Sequence, residues 1–245
     1  MHLKTVILNP EKYPTRDHYP FNLDLFQKTR RITFETPVTF FAGENGSGKS
    51  TLLEAITRKC GIYIWQGMHR PRFNASPYEK SLYKTIDIEW SNGQKVQGSF
   101  FGSQIFNNFA QILDEWLTMD PGLLDYFGGK SLMAQSHGQS LMAFFQSRFK
   151  IKGLYLLDEP ETALSPKTQL QLLSLLAAVT RTGKAQFIIA THSPILLACS
   201  GAKILSFDKS PVKKIDYKDT DHYRIYKDFM ADPAKFLIGG YPCQS

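Results

Sequence analysis

A glycine-rich stretch near the start of the chain has the residue types and the spacing that bind a phosphate group. Residues 43–51 read GENGSGKST, and Gly43 to Ser50 fit the pattern G-x-x-x-x-G-K-[ST] in full. The glycines allow the backbone to curl until successive N–H groups point at phosphate oxygens. Lys49 can reach the β- and γ-phosphates, and Ser50 can ligate Mg²⁺. The stretch therefore predicts a site for a nucleoside triphosphate and Mg²⁺.

Two predicted elements flank this stretch in the way that the motif requires. Val38–Ala42 is a short run of β-branched and aromatic residues and predicts a buried strand. Ser50–Arg58 has apolar residues on one side and predicts a helix, whose first turn adds partial positive charge beside the phosphates. The predicted nucleotide-binding residues are Gly43, Glu44, Asn45, Gly46, Ser47, Gly48, Lys49, Ser50 and Thr51.

A second group of polar residues follows the apolar run Leu154–Leu157, which predicts a fully buried strand. Asp158 and Glu159 come directly after it. In a parallel sheet the carboxyl ends of the strands share one edge, so Asp158 is expected beside the phosphate loop. We predict that Asp158 holds Mg²⁺ and that Glu159 orients or deprotonates the attacking water.

A histidine follows another predicted strand at the same edge. Phe187–Ala190 is apolar and is followed by Thr191, His192, Ser193 and Pro194. From this position the imidazole can hydrogen-bond the γ-phosphate or the attacking water. We therefore predict that His192 is a catalytic residue together with Glu159 and Lys49.

The segment SHGQS, which begins at Ser136, precedes an apolar sequence that predicts a helix through Arg148. Ser136 and Gln139 have the spacing of a capping box, which by itself explains an ordinary helix start. The functional interpretation is that Ser136 and the Gly138 N–H face an anion at the helix N-terminus. The residues leave both interpretations open.

The remaining pattern predicts one α/β domain over residues 1–245. Strands alternate with helices, which indicates a largely parallel sheet covered on both faces. The first 37 residues predict edge strands and turns, and alternation around an Asn92-Gly93 turn predicts an antiparallel ribbon between Gly61 and Phe101. Residues 61–133 are predicted to form a β-rich insertion that also contains a helix near residues 107–117.

Composition narrows the class of protein without naming a partner. The formal net charge is +7, which favours anionic partners such as a nucleotide or a nucleic acid and equally fits an ordinary basic surface. No signal peptide and no integral membrane segment are predicted. Three cysteines without paired spacing indicate reduced thiols in the cytoplasm.

The four motifs in this order resemble the ATP-binding-cassette (ABC) ATPases. Gly43–Ser50 is similar to Walker A, Leu154–Asp158 to Walker B and His192 to the switch histidine. Ser136–Gln139 resembles a degenerate signature motif, with His137 where the first signature glycine would lie. The segments VTFFAGENGSGKSTLLEAI, LLDEPETALSP and ATHSPILLA resemble small stand-alone bacterial AAA-family ATPases related to the SMC and recombination-repair branch.

The resemblance implies a P-loop fold, ATP as the nucleotide and an ATP-dependent homodimer in which each signature caps the γ-phosphate held by the other copy. It also implies a glutamine that contacts Mg²⁺; Gln104 is the main candidate, and Gln94 and Gln97 compete with it. Ser165 lies where the family often has an aspartate. The aromatic residue that stacks on adenine is left open among Tyr13, Tyr19, Phe21 and Phe26.

Several hypotheses about the function of the chain are compatible with this fold. The leading hypothesis is an ATP-hydrolysing switch that acts on an unknown partner, which would be a protein or a nucleic acid in DNA repair or phage defence. The alternatives are the nucleotide-binding subunit of a transporter and a slow-turnover, ATP-gated binding module. A P-loop kinase is disfavoured because no acceptor site is evident.

Overall fold

The computed structural model describes residues 1–64, 76–102 and 137–238. Its strands are β1 (Leu3–Leu8), β2 (Arg31–Thr33), β3 (Val38–Ala42), β4 (Ile86–Trp90), β5 (Gly98–Phe101), β6 (Gly153–Asp158), β7 (Ala185–Ala190), β8 (Lys203–Ser206) and β9 (Lys213–Ile215). Its helices are α1 (Asp24–Lys28), α2 (Lys49–Lys59), α3 (His137–Arg148), α4 (Pro166–Thr180), α5 (Pro194–Leu197), α6 (Asp221–Ala231) and α7 (Ala234–Ile238).

The larger sheet has the strand order β5-β6-β7-β3-β8-β9. Every neighbouring pair is parallel except β8 and β9. The prediction of a largely parallel sheet is confirmed. Helices connect most of its strands, as parallel pairing requires, because a tight turn cannot return the chain to the same edge.

Strand register brings the ends of three of the predicted motifs together. Ala190 at the end of β7 pairs with Asp158 of β6 on one side and with Phe41 of β3 on the other. The Glu159 N–H donates to the Ala190 carbonyl at 2.9 Å, which extends the ladder by one residue. The phosphate loop, the acidic pair and His192 therefore all leave the sheet at one edge.

The smaller sheet has the order β2-β1-β4 and is antiparallel. Two predictions are wrong here. β1 is the central strand of this sheet and not an edge strand. The two strands on either side of Asn92-Gly93 do not form the predicted ribbon, because β4 pairs with β1 while β5 joins the parallel sheet beside β6.

The burial of β5 explains why the ribbon does not form. Phe100 and Phe101 are both buried, and they point into the two different cores on opposite faces of the large sheet. A two-stranded ribbon leaves one face in water, so it cannot bury two successive aromatic residues. The chain does turn at Asn92-Gly93, with Gly93 at φ +67°, but this turn leads from one sheet to the other.

Alternate residues of the parallel strands divide between two hydrophobic cores. One face packs against α3, α4 and α5, and the other packs against α1, α2 and the small sheet. Phe40 and Phe41 illustrate the alternation, since both are fully buried on opposite faces. Because the phosphate loop joins β3 to α2, its two ends are fixed by the core.

The end of α3 is fastened to β6 by aromatic packing and by hydrogen bonds. The Phe149 ring lies 4.9 Å from the Tyr155 ring and stacks on Phe145 at 4.7 Å. The Tyr155 hydroxyl lies 2.7 Å from the Arg148 carbonyl and 2.6 Å from the Ile151 carbonyl, and shares its single proton between them. The carboxyl-terminal end of α3 is therefore fixed to the strand that carries Asp158.

Within residues 1–64, 76–102 and 137–238, no helix has the length and apolarity that crossing a membrane requires. Cys60 and Cys199 are both free thiols, and Cys60 is buried in the core at the carboxyl-terminal end of α2.

Candidate active site

The phosphate loop owes its shape to glycines at positive φ. Gly46 and Gly48 have φ values of +79° and +98°. A Cβ on Gly48 would lie 2.8 Å from the Phe26 ring, so packing as well as backbone conformation requires glycine there. Gly48 also precedes the first residue of α2. The first N–H groups of a helix have no acceptor within the helix, so here they are available to a phosphate.

Lys49 is folded back onto this loop. Its side chain is buried, with 4% of the residue exposed, and its ammonium donates to the carbonyls of Gly43 at 2.6 Å and Glu44 at 2.8 Å. Burial lowers the pKa of Lys49, and the nearby carboxylates of Glu159 and Asp208 oppose that shift. The ammonium therefore lies in the space inside the loop where the phosphate is predicted to bind.

Ser50 and Asp158 meet where the loop approaches β6. The Ser50 hydroxyl donates to Asp158 Oδ1 at 2.8 Å, and Asp158 is only 8% exposed. Burial raises the pKa of Asp158 to about 7, which the Ser50 hydrogen bond and Lys49 only partly offset. A hydroxyl and a carboxylate are the oxygen ligands that Mg²⁺ prefers. This pair therefore fits a bound Mg²⁺, whose positive charge would stabilise the buried carboxylate.

Glu159 is held in an unusual backbone conformation at the end of β6. Among the residues that the structure describes, Glu159 is the one non-glycine residue with a positive φ, at +52°. Its carbonyl accepts from the Thr162 N–H at 3.1 Å and from the Thr162 hydroxyl at 2.8 Å. A left-handed conformation costs energy for such a residue and recurs at functional sites. The turn directs the carboxylate towards His192, with Glu159 Oε1 3.4 Å from His192 Nε2.

His192 contacts three other titratable side chains. Its backbone N–H donates to Glu161 Oε1 at 2.6 Å, and its Nδ1 lies 3.1 Å from His222 Nε2. The Glu159 carboxylate lies on the Nε2 side. Burial, reinforced by the charge of Lys49, lowers the pKa of His192, so the neutral imidazole is favoured. Its contact with Glu159 is therefore not a full ion pair at neutral pH.

A buried polar network supports the turn that carries His192. The Ser193 hydroxyl donates to Gln169 Oε1 at 2.5 Å and accepts from the Ile195 and Leu196 N–H groups at the start of α5. The Gln169 amide in turn donates to the Leu164 carbonyl at 2.9 Å. This network connects the His192 turn to α4.

Three residues at this edge were missed by sequence reasoning. Asp208, beyond the end of β8, accepts from the Glu44 N–H at 2.7 Å, and the rule that finds Asp158 at a strand end would also have found it. Glu161 and His222 have no comparable signal. Glu161 lies in a short 3₁₀ turn, and His222 lies in the first turn of α6, thirty residues beyond His192.

Comparisons with known families agree with this geometry. A family model described as "AAA domain" matches residues 21–61, which include the phosphate loop. A second, described as "AAA domain, putative AbiEii toxin, Type IV TA system", matches residues 140–198, which include Asp158, Glu159 and His192.

Curated proteins and a solved structure resemble most of the chain. The tungstate uptake system ATP-binding protein TupC of Campylobacter jejuni is 22% identical over 240 residues, covering 87% of this chain and 71% of that protein. The thiamine import ATP-binding protein ThiQ of Haemophilus influenzae is 23% identical over 227 residues, covering 88% and 98%. The SMC head domain from Thermotoga maritima has a TM-score of 0.50 at 16% identity, covering 88% and 99%.

The matched family models, the curated relatives and the fold together support an ABC-type ATPase. The chain is thus an ATP-hydrolysing P-loop enzyme, and the predicted family and fold class are confirmed. The roles of its individual site residues remain predictions.

Two predicted site residues, Ser136 and Gln104, lie outside the described residues. Gly138 is described, in the first turn of α3, where a Cβ would come within 3.5 Å of the Ala163 carbonyl and 3.7 Å of the Thr168 hydroxyl. The start of α3 therefore packs beside the start of α4. The contact of Ser136 and Gly138 with an anion stays a prediction.

The two other candidates for the glutamine that contacts Mg²⁺, Gln94 and Gln97, lie far from Asp158 along the strands. Gln97 directly precedes β5, which runs parallel to β6, so it lies at the amino-terminal edge of the sheet. Asp158 lies at the opposite, carboxyl-terminal edge. Gln94 precedes Gln97 on the same approach to β5, so neither side chain is positioned for the predicted Mg²⁺ contact.

One of the aromatic candidates for adenine is both exposed and beside the phosphate loop. Phe21 and Phe26 are fully buried in the core, whereas Tyr19 is 39% exposed. The Tyr19 hydroxyl hydrogen-bonds the Thr51 hydroxyl, and both line a cavity of about 120 Å³ along α2. Tyr13 is half-buried and donates to the Phe26 carbonyl. Tyr19 is thus the candidate that this geometry favours.

Proposed function

We propose that the chain hydrolyses ATP at a site that a second copy completes, and that the ATP-dependent closing of this dimer is a switch acting on a partner. The observation that carries the proposal is the convergence of Lys49, the Ser50–Asp158 pair, Glu159 and His192 at one edge of the parallel sheet. These residues supply groups for binding a triphosphate and for activating water at the same edge.

In this proposal the phosphates bind to the N–H groups of the phosphate loop, and Lys49 exchanges its two carbonyl partners for β- and γ-phosphate oxygens. That exchange needs only side-chain rotation, because the loop is already curled. Ser50 and Asp158 would hold Mg²⁺, which would neutralise negative charge on the phosphates. Asp208, through the Glu44 N–H, fixes the start of the loop.

The proposed hydrolysis uses Glu159 as the base. Water attacks the γ-phosphorus, the bond from that phosphorus to the β,γ-bridging oxygen breaks, and the products are ADP and inorganic phosphate. The Glu159 carboxylate accepts the proton of the water as it attacks. His192 donates through Nε2 to a γ-phosphate oxygen, and thereby senses whether the γ-phosphate is present.

The exposure of the site supports the need for a second copy. About 29% of the Glu159 side chain and 27% of the His192 side chain are exposed in one chain. Electrostatic stabilisation of phosphoryl transfer is strongest where water is excluded. In a twofold dimer, Ser136 and Gly138 of one copy would cover the γ-phosphate of the other.

The class of partner is inferred from the neighbours. The family model over residues 140–198 names a type IV toxin–antitoxin system, and SMC head domains share the fold. The net charge of +7 is compatible with a nucleic acid, either bound directly or carried by a partner protein. We therefore propose a role in DNA repair or in phage defence.

Light scattering after size exclusion tests the dimer. The Glu159→Gln variant is measured with and without Mg-ATP, because slowed hydrolysis should trap the closed state. We expect a monomer without ATP and a dimer with it, and no dimer when Lys49→Ala is added as a control. A monomer under all conditions, with ATP binding demonstrated separately, would contradict the homodimer.

A transporter subunit is the second candidate, because the curated relatives named above are ATP-binding proteins of uptake and import systems. The degenerate signature SHGQS argues against a transporter subunit. Expression of the tagged chain in its native host distinguishes the two candidates. Recovery with a membrane permease would support the transporter, and recovery with a nuclease subunit or with DNA would support the switch.

A further inference from the structure

We propose that His222, on α6, is a positioning residue that fixes the tautomer and the ring orientation of His192. The inference rests on the proposed function, in which His192 Nε2 donates to the γ-phosphate. It adds a link that the motifs do not contain, from the ATP site to a helix beyond the end of the parallel sheet.

The two imidazoles are in direct contact. His192 Nδ1 lies 3.1 Å from His222 Nε2, and the ring centroids are 5.2 Å apart with the planes inclined at 53°. This distance is that of a nitrogen–nitrogen hydrogen bond, and the inclination excludes face-to-face stacking. His222 is buried, so water does not readily replace it as the partner of His192.

A hydrogen bond between two neutral imidazoles fixes which nitrogen carries each proton. A neutral ring has one N–H donor and one acceptor nitrogen. If His192 Nδ1 accepts from His222 Nε2–H, then His192 must carry its own proton on Nε2. If His192 Nδ1 donates instead, its Nε2 has no proton and cannot donate to a phosphate.

The surroundings favour the first arrangement. The Glu159 carboxylate lies 3.4 Å from His192 Nε2, and a carboxylate beside this nitrogen stabilises a proton on it. Burial lowers the pKa of both His192 and His222, so both rings are neutral near neutral pH, as the argument requires. His222 then donates through Nε2, and His192 presents an Nε2–H to the site.

His222 is itself held in place by the cap of α6. The Thr220 hydroxyl accepts from the Tyr223 N–H at 3.2 Å and donates to the Tyr217 carbonyl at 2.7 Å. The Tyr217 and Tyr223 rings pack at 4.7 Å, and Thr220 is buried. A residue in such a fixed first turn can hold its partner in one orientation, as supporting residues around metal-bound histidines do.

Three substitutions separate positioning from simple packing. Gln places an amide nitrogen near the position of Nε2, Asn has the same amide one bond shorter, and Leu fills volume without a donor. We expect His222→Leu and His222→Asn to lower kcat about 10- to 100-fold with little change in KM for ATP. We expect His222→Gln to restore kcat to within about fivefold of the parent chain.

The experiment measures turnover, KM and thermal unfolding of these variants, each alone and combined with His192→Ala. If His222 acts through His192, His222→Leu has no further effect in the His192→Ala background. Two outcomes would overturn the positioning role of His222 and leave the role of His192 intact. One is a loss of kcat in His192→Ala without any loss in His222→Leu. The other is an equal loss of kcat in His222→Gln, His222→Asn and His222→Leu. Unchanged turnover in His192→Ala would refute the proposed role of His192, and with it this inference.

A second measurement does not depend on activity. The ¹⁵N chemical shifts of histidine-labelled protein report which imidazole nitrogen carries the proton. We expect the Nε2–H tautomer for His192 in the parent chain and in His222→Gln, and a mixture of tautomers in His222→Leu. The Nδ1–H tautomer in the parent chain would overturn the inference even if the Leu variant failed to fold.

Discussion

The site has two halves that are assembled in different ways. The phosphate-loop half comprises residues 43–51 with Asp158, and the histidine half comprises Glu159, Glu161, His192 and His222. In the first half most of the groups come from one continuous segment, shaped by its glycines and fixed between β3 and α2. In the second half the residues come from three separate segments and meet through side-chain contacts.

This difference suggests a division of labour between the two halves. A loop made of backbone N–H groups holds its shape without any ligand and can bind phosphate as soon as Lys49 turns. A group of side chains held by single hydrogen bonds is more easily rearranged, and each partner influences the next. We expect the first half to determine whether ATP binds and the second to determine how fast it is hydrolysed.

The largest expected effect is that of Lys49→Ala. Losing the charged contacts to two phosphates should weaken ATP binding by about 3 kcal/mol, or about 100-fold, and abolish measurable turnover. Titration with a fluorescent ATP analogue, alongside phosphate release, measures both. Lys59→Ala, on the same helix with its ammonium beside Asp87, is the control and should behave as the parent chain. Retained turnover in Lys49→Ala would contradict the assignment of residues 43–51 as the ATP-binding loop.

Glu159→Gln should affect only the histidine half of the site. Removing the base should slow hydrolysis by about 100-fold or more, while ATP affinity stays within a few-fold of the parent value. Single-turnover hydrolysis and equilibrium binding separate the two quantities. Glu89→Gln, on the small sheet away from the site, is the matched control. Loss of binding in Glu159→Gln would mean that the two halves are not separable.

Asp158→Asn should make the nucleotide-free, metal-free protein more stable at high pH. The pKa of Asp158 is raised from 3.8 to about 7, so the folded state binds more protons than the unfolded state between these values. The free energy of unfolding therefore falls as pH rises through this window. The gain from Asn should be on the order of 2–4 kcal/mol at pH 8 and should vanish below about pH 4.

Urea unfolding in EDTA at several pH values measures this gain. This measurement shows whether the phosphate-loop half loses stability by keeping an ionised metal ligand. A variant that is less stable than the parent chain at pH 8 would mean that Lys49 and Ser50 already compensate the carboxylate.

The smallest expected effect is that of Ser165→Ala. The Ser165 hydroxyl caps α4 by accepting from the Thr168 N–H at 3.3 Å, so its removal should cost about 1 kcal/mol of stability. Turnover should not change, because the residue lies outside both halves. Ser165→Asp keeps a cap and introduces the residue common in the family, and it serves as the matched control. A tenfold loss of turnover in Ser165→Ala would add this residue to the histidine half.

The local motifs were predictable from the sequence because their geometry is local. The strand Val38–Ala42, the helix that follows the loop and the strand that ends at Asp158 all agree with the prediction. The shared carboxyl edge of parallel strands then brings Asp158, Glu159 and His192 together without further information. For these residues, sequence spacing and one rule of topology were sufficient.

Long-range pairing was not predictable in the same way. Alternation in β4 fits a ribbon with β5 as well as it fits pairing with β1, and only the two buried phenylalanines of β5 distinguish the alternatives. His222 is part of the site because α6 packs beside α5, which no spacing along the chain indicates. Contacts between distant segments depend on the packing of the whole domain.

The fastening of α3 to β6 has a mechanical consequence. The helix has 12 residues and is therefore about 18 Å long, and its carboxyl-terminal end is held by Tyr155. A rotation of about 10° about that end would shift the opposite end by about 3 Å. A shift of that size makes or breaks a hydrogen bond. A small rotation at the Tyr155 end of α3 would therefore be enough to make or lose a contact at Gly138.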